Sequence, residues 1–326
     1  MSANRRLRGH QWTAVQRAVL IAVLTIVMGS LLITSYSIAL ADPVPHHIDA
    51  ALVGTQAGQA RTVDEIQSVA DDSLEFHPYP SVSAAMTAID QQRVYAALDL
   101  TSPQPTLYVA SAAGASVARV LERIDTADPG VRVVDTHPLD PDDPSGLDVF
   151  YLMFVSTIVG FFTVFQVRPN AGGLSLRRWT GFVVALSVAA SFAFTFVTGP
   201  LLHRLALPML ESWGILSLQL LAAASFASLA SVLIGRWAVL PTWLFFVILG
   251  NSASGGAVAP PLLPRPLAFV SQWLPSGATV TALREAIYFP ADQHVQPIVV
   301  LATWAVALFV AMVVVSRRLG RSPGKP

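Results

Sequence analysis

The stretch PLDPDDPSGLDVFYLMFVSTIVGFFTVFQVR, Pro138 to Arg168, decides the fold, because two kinds of protein meet inside it. Its first part carries four aspartates and three prolines, residues that favour turns and break helices and strands. Val149 to Val167 then runs without a charge, about the length of helix that crosses a hydrocarbon core roughly 30 Å thick. Upstream of the junction the chain is acidic. Seventeen of the 20 acidic residues lie between Asp42 and Asp148 beside only five arginines, a net charge of −12, while the remainder is basic.

The whole chain agrees with the downstream half. Of 326 residues 53% are hydrophobic and 12% charged, against roughly 25% charged in an average soluble domain. A soluble enzyme of this size is excluded on that balance. Phosphate would repel the acidic segment, so a nucleic-acid partner is disfavoured. The absence of cysteine removes disulfides, thiolate metal sites, thiol nucleophiles and lipidation at cysteine. Arginine in place of nearly all lysine, with abundant alanine, points to a GC-rich bacterial genome.

Moving outward from Val149, uncharged runs at Ala18 to Ala41, Val149 to Val167, Thr180 to Leu202, Trp213 to Gly235 and Pro297 to Ser316 read as spans. Ala238 to Gly250 is too short alone but continues into the uncharged Asn251 to Pro264, which makes an irregular fifth of six. Arginines set the orientation. With the N-terminus inside, the cytoplasmic segments collect twelve basic residues and no acid, among them Arg5, Arg168, Arg177, Arg178, Arg236 and Arg317. The expected fold is therefore an α-helical polytopic membrane protein of six spans, both termini cytoplasmic, with a small extracytoplasmic α/β domain between spans 1 and 2. Its parts are a cytoplasmic tail at 1–17, a span at 18–41, the acidic domain at 42–147, a five-span domain at 148–316 and a basic tail at 317–326. A secretory signal ending in Ala39-Leu40-Ala41 is the competing reading of the N-terminus; the apolar run, about 24 residues, exceeds the usual 7 to 15 and favours an uncleaved span.

Within the acidic segment the period becomes globular. Ile48 to Val53, Leu74 to His77, Val94 to Leu98, Thr106 to Ala110 and Val131 to Val134 read as strands. Thr62 to Ala70, with a capping box from Thr62 to Glu65, Val82 to Gln91 and Ala113 to Ile124 read as helices. The alternation implies a largely parallel sheet.

No motif for catalysis or nucleotide binding appears. Gly320-Arg-Ser-Pro-Gly324-Lys325-Pro326 is one residue short of a phosphate-binding loop and lacks its Ser/Thr, its strand and its helix. His46 and His47 point to opposite sides of an extended chain without ligand spacing. No enzyme, metal or cofactor is expected. The spans hold no ionisable residue away from their rims, so coupling to an ion gradient is not expected either. They do hold small residues at helical spacing, Ala185, Ala189 and Ala193 in the third and Ala223, Ala227 and Ser231 in the fourth, which suit close packing within the chain or between subunits.

Most distinctive are GNSASGGAVAPPLLP, from Gly250 and Asn251 through Gly255 and Gly256 to Pro260, Pro261 and Pro264, and WLPSGATVTALREAIYF, Trp273 to Phe289, which contains Pro275, Gly277, Leu283 and Arg284. Glycine and proline break the helix at membrane depth, where broken backbone survives only buried in protein or lining a cavity. Val280, Leu283 and Ile287 share a helical face, so Ala278 to Phe289 is expected at the outer interface.

With these two segments and its order of one span, an outer α/β domain and five spans, the chain resembles the ABC-2 type permease superfamily, near the actinobacterial phage-infection-protein (Pip) group. The resemblance covers nearly the whole chain and is most specific at Gly250 to Phe289. It implies the permease subunit of an exporter, moving a hydrophobic or amphipathic substrate outward, with ATP hydrolysed by a separate cytoplasmic ATP-binding cassette subunit. It implies a dimer of such subunits, an ATPase-docking loop at Arg168 to Trp179 with Arg177 and Arg178, and an outer gate at 250–289. That cytoplasmic loop is shorter here than in the family, about 12 residues. The rival expectation is a non-transporting envelope receptor or scaffold whose outer domain binds a partner.

Overall fold

The structure, a computed structural model, describes residues 14–40, 48–54, 60–69, 72–122, 130–170 and 173–324. The basic residues Arg5 to Arg8, the cleavage point after Ala41, the pair His46 and His47, and Lys325 lie outside these residues.

After helix α1 (Ala14–Leu40) the chain forms a βα domain: β1 (Ile48–Val53), α2 (Ala60–Val69), β2 (Leu74–Tyr79), α3 (Val82–Asp90), β3 (Ala96–Asp99), β4 (Thr106–Val109), α4 (Ala115–Leu121) and β5 (Arg132–Asp135). Sheet order is β2-β1-β3-β4-β5, parallel except for the antiparallel β3–β4 pair. The β3–β4 connection is too short for a helical crossover, so those strands must run antiparallel. From β1 the chain steps one way in the sheet to β2, then back past β1 to β3. Right-handed crossovers therefore put α2 and α3 on opposite faces. Ile48, Ala50 and Leu52 pack accordingly with Ile66 of α2, Ala51 and Val53 with Ala85 and Ile89 of α3. Thr62 lies inside α2 rather than capping it, because the helix begins at Ala60. The side chain that does cap a helix here is Ser81, whose oxygen accepts from the Ala84 amide at 3.2 Å.

Below the domain lie α5 (Asp148–Asn170), α6 (Leu176–Phe196), extended by a wider π-turn to Leu201, and α7 (Met209–Ile234). A 3-10 turn, Gly235–Ala238, leads to α8 (Val239–Thr242), which widens into a π-helix, Trp243–Asn251. Then come α9 (Arg265–Ser271), α10 (Pro275–Tyr288) and α11 (Val295–Arg318). Four helical runs among the described residues are long and apolar enough to cross a membrane: Asp148–Asn170, Leu176–Leu201, Met209–Asn251 and Val295–Arg318. The chain is thus a multi-pass membrane protein, but the six separate spans expected from sequence are not there. Arg236 divided two runs on paper; in the structure Met209–Asn251 is one run in which the α-helix stops at Gly235 (φ 62°), passes through the 3-10 turn and doubles back, bringing the Phe226 ring onto Phe245 at 5.3 Å. The first expected span falls on α1, whose apolar part, Ala22–Ser37, is shorter than a crossing requires.

Helix α7 is the centre of the bundle, flanked by α5, α6, α10 and α11. Ala222, Ala223, Ala224, Ala227, Ser228 and Ser231 are all buried along it, and small residues let backbones approach closely in lipid, where no hydrophobic effect drives helices together. The closest approach is at Gly160 of α5, where an added Cβ would lie 3.0 Å from both the Ala223 Cβ and the Leu220 carbonyl oxygen. On α6 the expected alanine stripe is reversed: Ala185, Ala189 and Ala193 are exposed. The buried stripe is Val183, Ser187, Ser191 and Thr195, with Ser191 and Ser217 hydroxyls 2.6 Å apart. Hydroxyls can face inward because each bonds a carbonyl one turn back, Ser187 to Val183 at 2.8 Å and Thr195 to Ser191 at 2.9 Å. Gly160→Val is expected to cost about 1–3 kcal/mol by overpacking this contact. Thermal unfolding in detergent checks it, and an unchanged midpoint would contradict the α5–α7 contact.

Candidate functional site

Between Asn251 and α9 the helix gives way to a loop held by specific contacts. Gly255 has φ 72°, a torsion that side chains resist, and an added Cβ would press on the Pro260 ring at 3.3 Å. At Gly256 it would meet Phe150 at 2.9 Å. The Ser254 hydroxyl donates to the Asn251 carbonyl at 2.9 Å and accepts from the Gly256 amide at 3.2 Å. Pro260 and Pro261 open a single 3-10 turn, Pro260–Leu262, after which the chain descends through α9 to α10.

The loop does not end at the membrane bundle. Val258, Ala259, Leu262 and Leu263 are buried in the same core as Ile48, Leu98, Leu107 and Val117 of the α/β domain. The Ala259 amide donates to the Ser116 hydroxyl at 2.9 Å, and Ala259 packs so tightly on Gly114 that a Cβ there would lie 3.0 Å away. On the other face Phe289 enters the core of Ala51, Ala85 and Ala97, with its ring stacked on His137 at 4.7 Å. The outer segment therefore completes both cores of the domain above it.

Beneath the loop runs α10, expected at the interface but enclosed instead: Pro275 to Val280, Ala282, Leu283, Glu285 and Ala286 are buried. Leu283 packs with Met153, Leu216 and Leu301 of α5, α7 and α11. Close approaches explain its glycine and that of the helix above. A Cβ at Gly277 would fall on the Ser271 carbonyl oxygen, and one at Gly250 would lie 2.8 Å from the Ser276 hydroxyl. Pro275 opens the helix, where its missing N–H costs nothing.

Arg284 projects from α10 to the Gly255 carbonyl, 3.2 Å from Nη2. Burial pushes its guanidinium below the ordinary arginine range, opposed by Tyr95, Tyr288 and Glu285. Burial raises the Tyr95 phenol, and Arg284 opposes that shift. The neighbouring Glu285 accepts from the His294 amide and faces its Nδ1, both at 2.9 Å, tying α10 to the start of α11. These groups, with Gln92, Pro260 and Gln296, line a cavity of about 250 Å³ between domain and bundle. A second outer tie joins Arg204 to Asp148 at 3.0 Å.

One feature of the interior escaped the sequence reading, which screened the spans for ionisable groups only. Gln219 of α7 is fully buried, its Nε2 donating to Thr157 Oγ1 of α5 at 2.6 Å and its Oε1 accepting from Thr279 Oγ1 of α10 at 3.0 Å. A lone amide in an otherwise apolar α7 was the available signal.

The inner residues lie apart from this site. Arg177 and Arg178 are exposed in the first turn of α6, where the helix dipole disfavours cations by roughly 0.3–1 kcal/mol, so helix stability does not account for them. The C-terminal tail folds onto the same end, with the Gly173 amide donating to the Gly324 carbonyl at 2.9 Å and Ser322 Oγ to the Leu174 carbonyl at 2.7 Å. Arg168 sits partly buried at the end of α5. Among the described residues no group of three or more His, Asp and Glu is placed to hold a metal ion.

No protein-family model matches the chain, and neither a curated protein nor a solved structure matches it.

Replacing Gly255 and Gly256 together by alanine is expected to lower the thermal midpoint and open the loop to protease. Gly181→Ala is the control: it faces open space inside α6, where alanine gains up to about 1 kcal/mol. A Gly255/Gly256 variant as stable and protease-resistant as the parent would mean that torsion and the Phe150 contact do not constrain the loop.

Proposed function

We propose that this membrane protein is the permease subunit of an exporter in a bacterial cytoplasmic membrane, working as a pair and moving a hydrophobic or amphipathic substrate outward. ATP is hydrolysed by a separate cytoplasmic subunit. The observation that carries this reading is the broken segment 250–264, packed into the bundle through Gly256 and Phe150 and into the outer domain through Val258 to Leu263. Interrupted backbone at that depth suits a moving or substrate-lining element better than a passive anchor. Energy from a second protein fits crossing runs whose buried polar groups are neutral, such as Gln219 and Thr157, while ionisable groups gather at the ends of those runs and on α10, where Arg284 and Glu285 sit.

Sidedness follows from charge. The bundle end with Arg168, Arg177, Arg178 and Arg236 faces the cytoplasm by the positive-inside rule, and the acidic domain faces out. The exposed pair Arg177 and Arg178 then stands where charge-assisted bonds to an ATPase's carboxylates can form.

The test is affinity purification from the native host followed by photolabelling with an ATP analogue. An ATP-binding protein is expected to co-purify and to be lost, or weakened at least tenfold, with Arg177→Gln and Arg178→Gln together. If no ATP-binding protein co-purifies, the exporter reading fails. Capture of an envelope protein by the outer domain in its place would establish the receptor or scaffold reading.

A further inference from the structure

The basic end of the bundle carries two hollows that meet. The larger, about 650 Å³, is walled by Phe161, Phe162, Phe165, Val239 and Trp243, and its rim holds Arg168 and Arg236. Phe162 and Val239 are exposed, so this hollow opens on the apolar flank of the bundle. The smaller, about 390 Å³, shares Arg168 and Gly235 with it and is lined further by Ser231, Val232, Arg321 and Ser322. An apolar crevice open to acyl chains thus continues into a polar basin where guanidinium groups converge. No aspartate or glutamate is among the described residues lining either hollow.

The basin also contains a polar group without a partner. Ser231 is 1% exposed, and its hydroxyl makes no hydrogen bond to any described residue. Ser156, Ser212, Ser225, Ser276 and Ser316 are buried and unpartnered likewise, but Ser231 is the one of these six that lines either hollow. A buried hydroxyl left unpaired is destabilising, and an anion's oxygen placed in the basin would accept from it.

We propose that the two hollows form one site for a single anionic phospholipid. Its phosphate lies between Arg168 and Arg321 and accepts from the Ser231 hydroxyl, with Arg236 at the rim of the adjoining hollow, while an acyl chain lies against Phe165 and Trp243. Basic pockets between crossing helices attract anionic headgroups. The site goes beyond the export reading: it binds lipid whether or not the protein transports anything, and its test involves neither ATP nor transport.

The test is native mass spectrometry of the full chain released from detergent containing equal phosphatidylglycerol and phosphatidylcholine, with melting temperature as second readout. One phosphatidylglycerol is expected to be retained in at least tenfold preference and to raise the melting temperature. Arg236→Gln with Arg321→Gln should abolish the preference, Ser231→Ala should weaken it several-fold, and Arg132→Gln, exposed on β5 of the acidic domain, should leave it unchanged. The wild-type preference and the single serine variant keep the proposal testable if the double arginine variant does not fold. Equal retention of the two lipids would overturn it. So would stabilisation by glycerol phosphate or inorganic phosphate equal to that by the lipid, because the basin would then be a soluble-anion site.

Discussion

The insertion of Val258 to Leu263 into the core of the outer domain is the contact on which the rest of the architecture depends. A five-stranded sheet of such short strands buries little apolar surface by itself, and here four residues of its core come from a segment more than a hundred residues downstream. The loop reaches that height only because the helix breaks after Asn251, turns at Gly255 and passes Phe150 where no side chain intervenes. Arg284 fixes the turn from below by binding the Gly255 carbonyl, and Ser116 holds it from above through the Ala259 amide. Domain, loop and bundle are coupled through one short stretch of backbone.

The bundle beneath is organised by close approach and by neutral hydrogen bonds. In lipid, where apolar side chains gain nothing by leaving the solvent, α7 brings α5 near through Gly160 and its own alanines. Gln219 links α5, α7 and α10 with a single amide. Its partners Thr157 and Thr279 also bond carbonyls of their own helices, so each hydroxyl retains an acceptor if the bridge opens. Such a junction can separate at less cost than a buried ion pair, whose rupture strands a charge. Movement between α10 and its neighbours is therefore compatible with the chemistry of the interior.

How much of this was legible depended on the range of the interaction. Strand β1 falls on the run Ile48 to Val53 that reads as a strand, and the helices of the outer domain lie within a few residues of their expected bounds, since those signals are local. The capping box at Thr62 misled because the match is a short string, while the first turn is decided by how α2 meets the sheet. The six-span count failed at Arg236 for a related reason: the charge that divides the hydropathy falls in a four-residue 3-10 turn within one run, Met209–Asn251. The alanines of α6 looked like a packing face, yet serine hydroxyls satisfied by carbonyls one turn back pack as small residues too and took the inner position. Gly250 to Pro261 stood out through composition, but its partners Ser116, Gly114 and Phe150 lie far away in the chain and carry no periodic trace.

The central claim is that the downstream loop is part of the outer domain's core. Hydrogen exchange on the intact protein measures this directly, comparing wild type with Leu262→Ser, a change outside the domain's own sequence. The account predicts that amides of β1 and β3, Ala50 to Leu52 and Ala96 to Leu98, lose at least about tenfold in protection, as a core loss above 1.4 kcal/mol requires, while α7 keeps its own. Unchanged protection in both strands would show that the domain is complete without the loop and would contradict the account.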